Sequence, residues 1–258
     1  MHFVPPVIAH RGARASAPEN TLAAFEAARQ DGATWIETDI KLTADGVPIL
    51  MHDDTLERTT NGHGAVADTT WAEMQAFDAG SWFGPAYAGS RIPSLAELLA
   101  FALEFGIRLN IELKPCPGRA RVTTMVALIE IAKLGSDAMP PPLISSFDIE
   151  ALTIAAQLHP DWPRGLLLDQ WRDDWREVMT VTRATTLHLN AKMLTTERLR
   201  ALRETGVPLL AYTVNDALRA RELLTGGVRA VFSDNPGEMI RNLSLPGVAF
   251  TETRGVVR

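Results

Sequence analysis

The segment Ser94–Lys114, SLAELLAFALEFGIRLNIELK, decides the fold. Its first half places leucine and phenylalanine at helical spacing over Leu95–Phe105, opened by the cap residue Ser94 and closed at Gly106. Its second half, Arg108–Lys114, alternates polar and apolar side chains with the two-residue period of a strand. A helix that passes through one turn into a strand is the repeating unit of a parallel sheet. Working outward, the spacing predicts further strands at Val7–His10, Trp35–Lys41, Leu143–Asp148, Gly165–Asp169, Thr186–Asn190, Pro208–Thr213 and Ala230–Asp234. Between them it predicts helices at Leu22–Gln30 after the cap candidate Asn20, Arg121–Lys133, Ile149–Leu158, Thr196–Glu204 and Ala217–Leu224. Eight strands alternating with helices predict an α/β fold of the TIM, or (β/α)8, barrel class.

The rhythm breaks once. After Asp39 the chain predicts a hairpin at Ala44-Asp45-Gly46, a return through Val47–His52, and some forty residues without a barrel unit before Ser94. Glycines at 62, 64, 80, 84 and 89, with apolar Trp71, Met74, Phe77, Trp82 and Phe83, suit a small ordered subdomain over residues 54–93. The expectation is a single barrel domain over residues 1–258, with this insertion over its C-terminal mouth.

Composition agrees with a single large core: 258 residues, 46% hydrophobic and 22% charged. Twenty-five basic against 31 acidic residues leave a formal charge of -6, which disfavours nucleic acid and stable membrane association. Cys116, the single cysteine, forms no intrachain disulfide, and the start of the chain is unlike a secretory signal, so a cytoplasmic setting is expected. Oligomeric state has no signature in the sequence.

Strand alternation puts Glu37 and Asp39 on one face of Trp35–Lys41. Crowded acids repel unless water or a cation lies among them, so the pair reads either as a solvated face or as metal ligands. Glu112 and Lys114 share a face near the end of the third strand, either as an ion pair or as part of the same site. An all-oxygen set of Glu37, Asp39 and Glu112 would suit one hard divalent cation, Mg²⁺ or Ca²⁺. His10 and His52 close the first strand and the hairpin, where two imidazoles could accept and deliver protons. His2, His63, His159 and His188 read as ordinary core or surface histidines. Arg11, beside Gly12, offers a fork of donors for phosphate or for a structural carboxylate, Glu19 is an orienting partner for His10 or Arg11, and Lys114 adds a point charge.

Together, His10-Arg11-Gly12, Pro18-Glu19-Asn20-Thr21, Glu37-x-Asp39, His52-Asp53 and Glu112-Leu113-Lys114 resemble the glycerophosphodiester phosphodiesterase family, particularly its bacterial cytosolic members. The resemblance continues through Asp53–Gly62, Tyr212-Thr213-Val214-Asn215 and Ser233-Asp234-Asn235-Pro236. It implies metal-dependent hydrolysis of glycerophosphodiesters, such as glycerophosphocholine or glycerophosphoethanolamine, to sn-glycerol 3-phosphate and an alcohol. It further implies that Glu37, Asp39 and Glu112 bind the cation, His10 accepts a proton, His52 donates one, and Arg11 with Lys114 holds the phosphate. Phe147, Tyr212 and Asn215 are candidates for the pocket wall. A non-catalytic glycerophosphate-binding barrel and a metal-assisted aldolase or isomerase are the competing readings.

Overall fold

The computed structural model describes residues 4–135 and 139–244; His2 and the chain ends assigned above to the barrel domain lie outside them. The strands are β1 (Val7–His10), β2 (Trp35–Leu42), β3 (Pro48–Leu50), β4 (Arg108–Leu113), β5 (Leu143–Ser146), β6 (Arg164–Leu168), β7 (Thr186–Asn190), β8 (Leu209–Tyr212) and β9 (Val228–Ser233). All but β3 are parallel, and β1 pairs with both β2 and β9, closing a TIM barrel of eight strands. β3 is the return strand of the expected hairpin, antiparallel to β2 with Ile40 opposite Leu50.

The helices are α1 (Leu22–Gln30), α2 (Trp71–Met74), α3 (Leu95–Phe105), α4 (Ala120–Ala132), α5 (Ile149–Leu158), α6 (Trp175–Thr182), α7 (Thr196–Glu204), α8 (Ala217–Thr225) and α9 (Pro236–Ser244). Three of them, α2, α6 and α9, escape the periodicity reading, α2 because a single turn is too short to show a period. The last turn of α6 is Thr180-Val181-Thr182, whose β-branched side chains mimic a strand, and α9 opens on Pro236, which reads as a turn although proline suits a first helical position. A second correction concerns the start of α1. Thr21, not Asn20, is its cap: the Thr21 hydroxyl accepts the N–H of Ala24, and Asn20 turns into the barrel mouth with φ 57°.

Strand alternation sorts the core into two shells. Ile36, Ile40, Leu109 and Ile111 point outward to Phe25, Leu98 and Leu128 of the helices. Val7, Leu166, Leu187 and Leu209 do the same on the opposite side, against Leu152 and Leu223. Inside, Ile8, Trp35, Leu143, Leu210, Ala230 and Phe232 plug the barrel, so the polar inward residues nearer the strand ends have a dry base beneath them. Residues between β3 and α3 gather Leu56, Val66, Met74, Ala79 and Ile92 with Ile49 and Cys116 into a separate apolar cluster.

Candidate active site

The C-terminal ends of the strands surround a cavity of about 600 Å³, lined in part by His10, Arg11, Glu37, His52, Glu112 and Lys114. Glu37 and Asp39 point inward from β2, and Glu112 sits beside Asp39 in the β2–β4 register. One ligand oxygen from each of the three carboxylates lies within 4.8 Å of the others. All three residues are buried, and Asp39 Oδ1 and Glu112 Oε1 lack a hydrogen-bond partner. Burial, followed by repulsion from Asp39 and Glu112, pushes the Glu37 carboxyl well above its ordinary range. Burial and Asp39 push Glu112 up to about 7. Asp39 is held low despite its burial because Arg11, Lys114 and His52 surround it and Asn20 donates to it. Crowded, dry carboxylates with oxygens that accept no hydrogen bond have the donor set that a hard divalent cation satisfies.

Arg11 is woven through this cluster. Its backbone takes φ 56°, an uncommon left-handed conformation for a residue with a side chain, and its N–H donates to Glu37 Oε2 at 3.0 Å. The guanidinium donates to Glu19 Oε1 at 2.8 Å and lies 3.2 Å from Asp39 Oδ2, so the structural carboxylate considered for Arg11 is present. Glu19 also receives Arg58 at 2.9 and 2.8 Å. Against the effect of its burial, Arg58 and Arg11 hold Glu19 at about 2, so it stays anionic as the anchor of both guanidinium groups. Gly12 permits the turn: its φ is 83°, and an added Cβ would lie 2.7 Å from backbone and side-chain atoms of Ala24.

The two histidines are held differently. His10 Nδ1 meets Asp234 Oδ1 at 2.7 Å, and Asp234 also accepts from Asn215 Nδ2 at 2.8 Å. His52 Nδ1 meets Asp53 Oδ1 at 2.6 Å, while its Nε2 faces Lys114 Nζ at 2.6 Å. An ammonium can only donate, so this contact makes Nε2 the acceptor and places the His52 proton on Nδ1. Burial lowers both imidazoles from their ordinary value, in spite of neighbouring carboxylates. Lys114 also lies 3.4 Å from Glu112 Oε1 and 3.5 Å from Asp39 Oδ1, so the considered ion pair coexists with the carboxylate cluster.

All seven residues named from the sequence thus converge on this region. Glu19 supports Arg11, and it is Asp234 that holds His10; sequence reasoning gave Asp234 no role. Phe147 and Tyr212 line the cavity, whereas Asn215 acts behind it on Asp234.

The chain matches the model of the glycerophosphoryl diester phosphodiesterase family over residues 10–238. It belongs to that family, whose members are phosphoric diester hydrolases. It is 35% identical over 243 residues to the Bacillus subtilis relative YhdW, covering 92% of this chain and 97% of the relative. It is 34% identical over 239 residues to the glycerophosphodiester phosphodiesterase of Caldanaerobacter subterraneus, covering 91% of this chain and 96% of the relative. Among solved structures, an Oleispira antarctica phosphodiesterase in complex with its product sn-glycerol 3-phosphate is similar at 38% identity and a TM-score of 0.89, covering 94% of this chain and 98% of that one. Among the described residues, no helix is long and apolar enough to cross a membrane.

Proposed function

We propose that the protein carries out metal-dependent hydrolysis of small glycerophosphodiesters, such as glycerophosphocholine or glycerophosphoethanolamine, releasing sn-glycerol 3-phosphate and an alcohol. The observation that carries the reading is the meeting of Glu37, Asp39 and Glu112 within 4.8 Å, with two of their buried oxygens lacking a hydrogen bond, beside two carboxylate-held imidazoles. The three carboxylates would hold Mg²⁺ or Ca²⁺; bound there, the cation supplies charge neutralisation of the phosphodiester and of the equatorial oxygens in its transition state.

The protein's own groups do the rest. Arg11 and Lys114 hold the phosphate oxygens, Arg11 kept rigid by Glu19. His10, with Nδ1 fixed on Asp234, directs Nε2 at the substrate and accepts the proton of the attacking hydroxyl. His52 delivers a proton to the departing alcohol oxygen from its imidazolium form, which Asp39 and the Asp53 carboxylate at Nδ1 favour and which Lys114 opposes until its ammonium turns to phosphate. Attack by the adjacent glycerol hydroxyl would give a cyclic phosphate, which water opens with the two imidazoles exchanging roles. Residues 54–93 serve as an inserted subdomain over the barrel mouth, bringing Arg58 to Glu19 and Asp53. A cytoplasmic setting belongs to the same proposal and draws on the single cysteine.

The test is release of glycerol 3-phosphate from a panel of glycerophosphodiesters, read through a coupled dehydrogenase with and without EDTA. The expected result is product that disappears on chelation and returns with Mg²⁺ or Ca²⁺, and a loss of at least about 10²-fold in His10→Ala and His52→Ala. Absence of product across the panel overturns the reading.

A further inference from the structure

Beside the main cavity lies a second one of about 440 Å³, lined in part by Lys41, Asp53, Asp54 and Asp148. His52, Lys114 and Phe147 border both cavities, whereas His10 borders only the first. The imidazole assigned to protonate the departing alcohol therefore faces the second cavity, and the imidazole assigned to accept a proton does not. A general acid must reach the oxygen it protonates, so the alcohol departs on the side of the second cavity.

The wall on that side has the chemistry of a cation site. Phe147, which follows β5, is 40% exposed. Its ring already meets one ammonium, for Lys114 Nζ lies 5.8 Å from the ring centroid, within cation–π range. Once Lys114 turns to phosphate, the ring is left for another cation. Asp148 stands next in the chain and caps α5, its Oδ1 accepting the Ala151 N–H at 2.9 Å. Its Oδ2 takes part in no hydrogen bond or ion pair among the described residues. The other two aspartates are already paired, Asp53 with Arg58 and His52, and Asp54 with Lys41. The position of this pair is fixed by β4. Asp148 N–H donates to Ser146 Oγ at 3.0 Å, and that hydroxyl donates to the carbonyl of Leu113, the residue before Lys114. An aromatic ring beside a carboxylate oxygen with no partner attracts an alkylammonium, and a neutral alcohol of the same shape gains from neither.

We propose that Phe147 and Asp148 form the site of the departing alcohol, on the second cavity, and that this site selects alcohols carrying an ammonium group, such as choline or ethanolamine, over neutral ones. This rests on the phosphodiesterase reading above and adds to it the residues that choose the headgroup.

The test compares kcat/KM for glycerophosphocholine with that for its carbon isostere, in which a quaternary carbon replaces the choline nitrogen. Both release glycerol 3-phosphate, so one coupled assay at saturating divalent cation reads wild type, Phe147→Leu and Asp148→Asn. Wild type is expected to prefer the charged substrate by at least about ten-fold. Phe147→Leu should narrow that preference by roughly five- to ten-fold and Asp148→Asn by roughly two- to five-fold. Asparagine keeps an oxygen to cap α5, so Asp148→Asn decides the matter if Phe147→Leu does not fold. A wild-type preference near unity, or one that either folded variant leaves unchanged, overturns the site. Failure of the phosphodiesterase reading is seen separately, as wild type that releases no glycerol 3-phosphate from any diester.

Discussion

Replacing Glu112 by Gln should stabilise the metal-free protein while removing its response to metal. Glu112 is buried beside Asp39, and its carboxyl is raised from 4.5 to about 7. A carboxyl raised on folding favours the folded state only while protonated. Well below pH 4.5 both states hold the proton and no penalty exists; as pH rises, the unfolded chain ionises first and the native state falls behind until pH passes about 7. The accumulated cost is on the order of 1 kcal/mol at pH 5 and roughly 3 kcal/mol at pH 8. Glutamine has the same shape and no charge to bury. Glu112→Gln should therefore melt only slightly above wild type at pH 5 and roughly 6–10 °C above it at pH 8, both in EDTA. Adding millimolar Mg²⁺ or Ca²⁺ should reverse the order at pH 8, because wild type gains a ligand that the variant holds poorly. Differential scanning calorimetry in the four conditions measures all of this. A variant that melts below wild type in EDTA at pH 8, or a gap that is the same at both pH values, would show that Glu112 is not a strained carboxylate.

Three further outcomes are expected. Asp234→Asn leaves His10 facing an amide in place of the carboxylate, and kcat/KM should fall on the order of 10²-fold with little change in melting temperature. Gly12→Ala forces a side chain into φ 83° and against Ala24, which should cost at least about 2 kcal/mol in chemical denaturation. Because burial lowers His10, its base form persists into mild acid: the acid limb of kcat/KM set by this imidazole should have its midpoint below 6.5, and a midpoint above that value contradicts the assignment.

Most of the barrel was legible because its signal is local. Strands such as Thr186–Asn190 alternate faces and helices such as Leu95–Phe105 carry an apolar stripe, and both recur at their expected bounds. The signal failed where local chemistry was ambiguous, at the β-branched end of α6, the proline that opens α9, and Asn20. Asn20 has the chemistry of a helix cap, yet it donates to Asp39 Oδ2 at 2.9 Å and accepts from Thr38 at 2.7 Å, leaving the cap to Thr21. Only the tertiary neighbourhood of β2 draws Asn20 away and leaves the cap to Thr21.

The site divides along the same line. Glu37 and Asp39 lie two residues apart on one strand, so their shared face follows from the pleat alone. The contact between His52 and Lys114 joins a hairpin loop to the end of β4, 62 positions away, and no local pattern encodes it. Asp234 stands between these cases. It lies 224 positions from His10, but it directly follows β9 as His10 ends β1, and a closed barrel makes its first and last strands neighbours. Once eight strands are counted, an acid at the end of the last is placed beside a base at the end of the first by closure itself. The carboxylate that orients His10 was therefore recoverable from topology, though not from spacing, and the same argument applies to any pair of polar residues that end β1 and β9 facing inward.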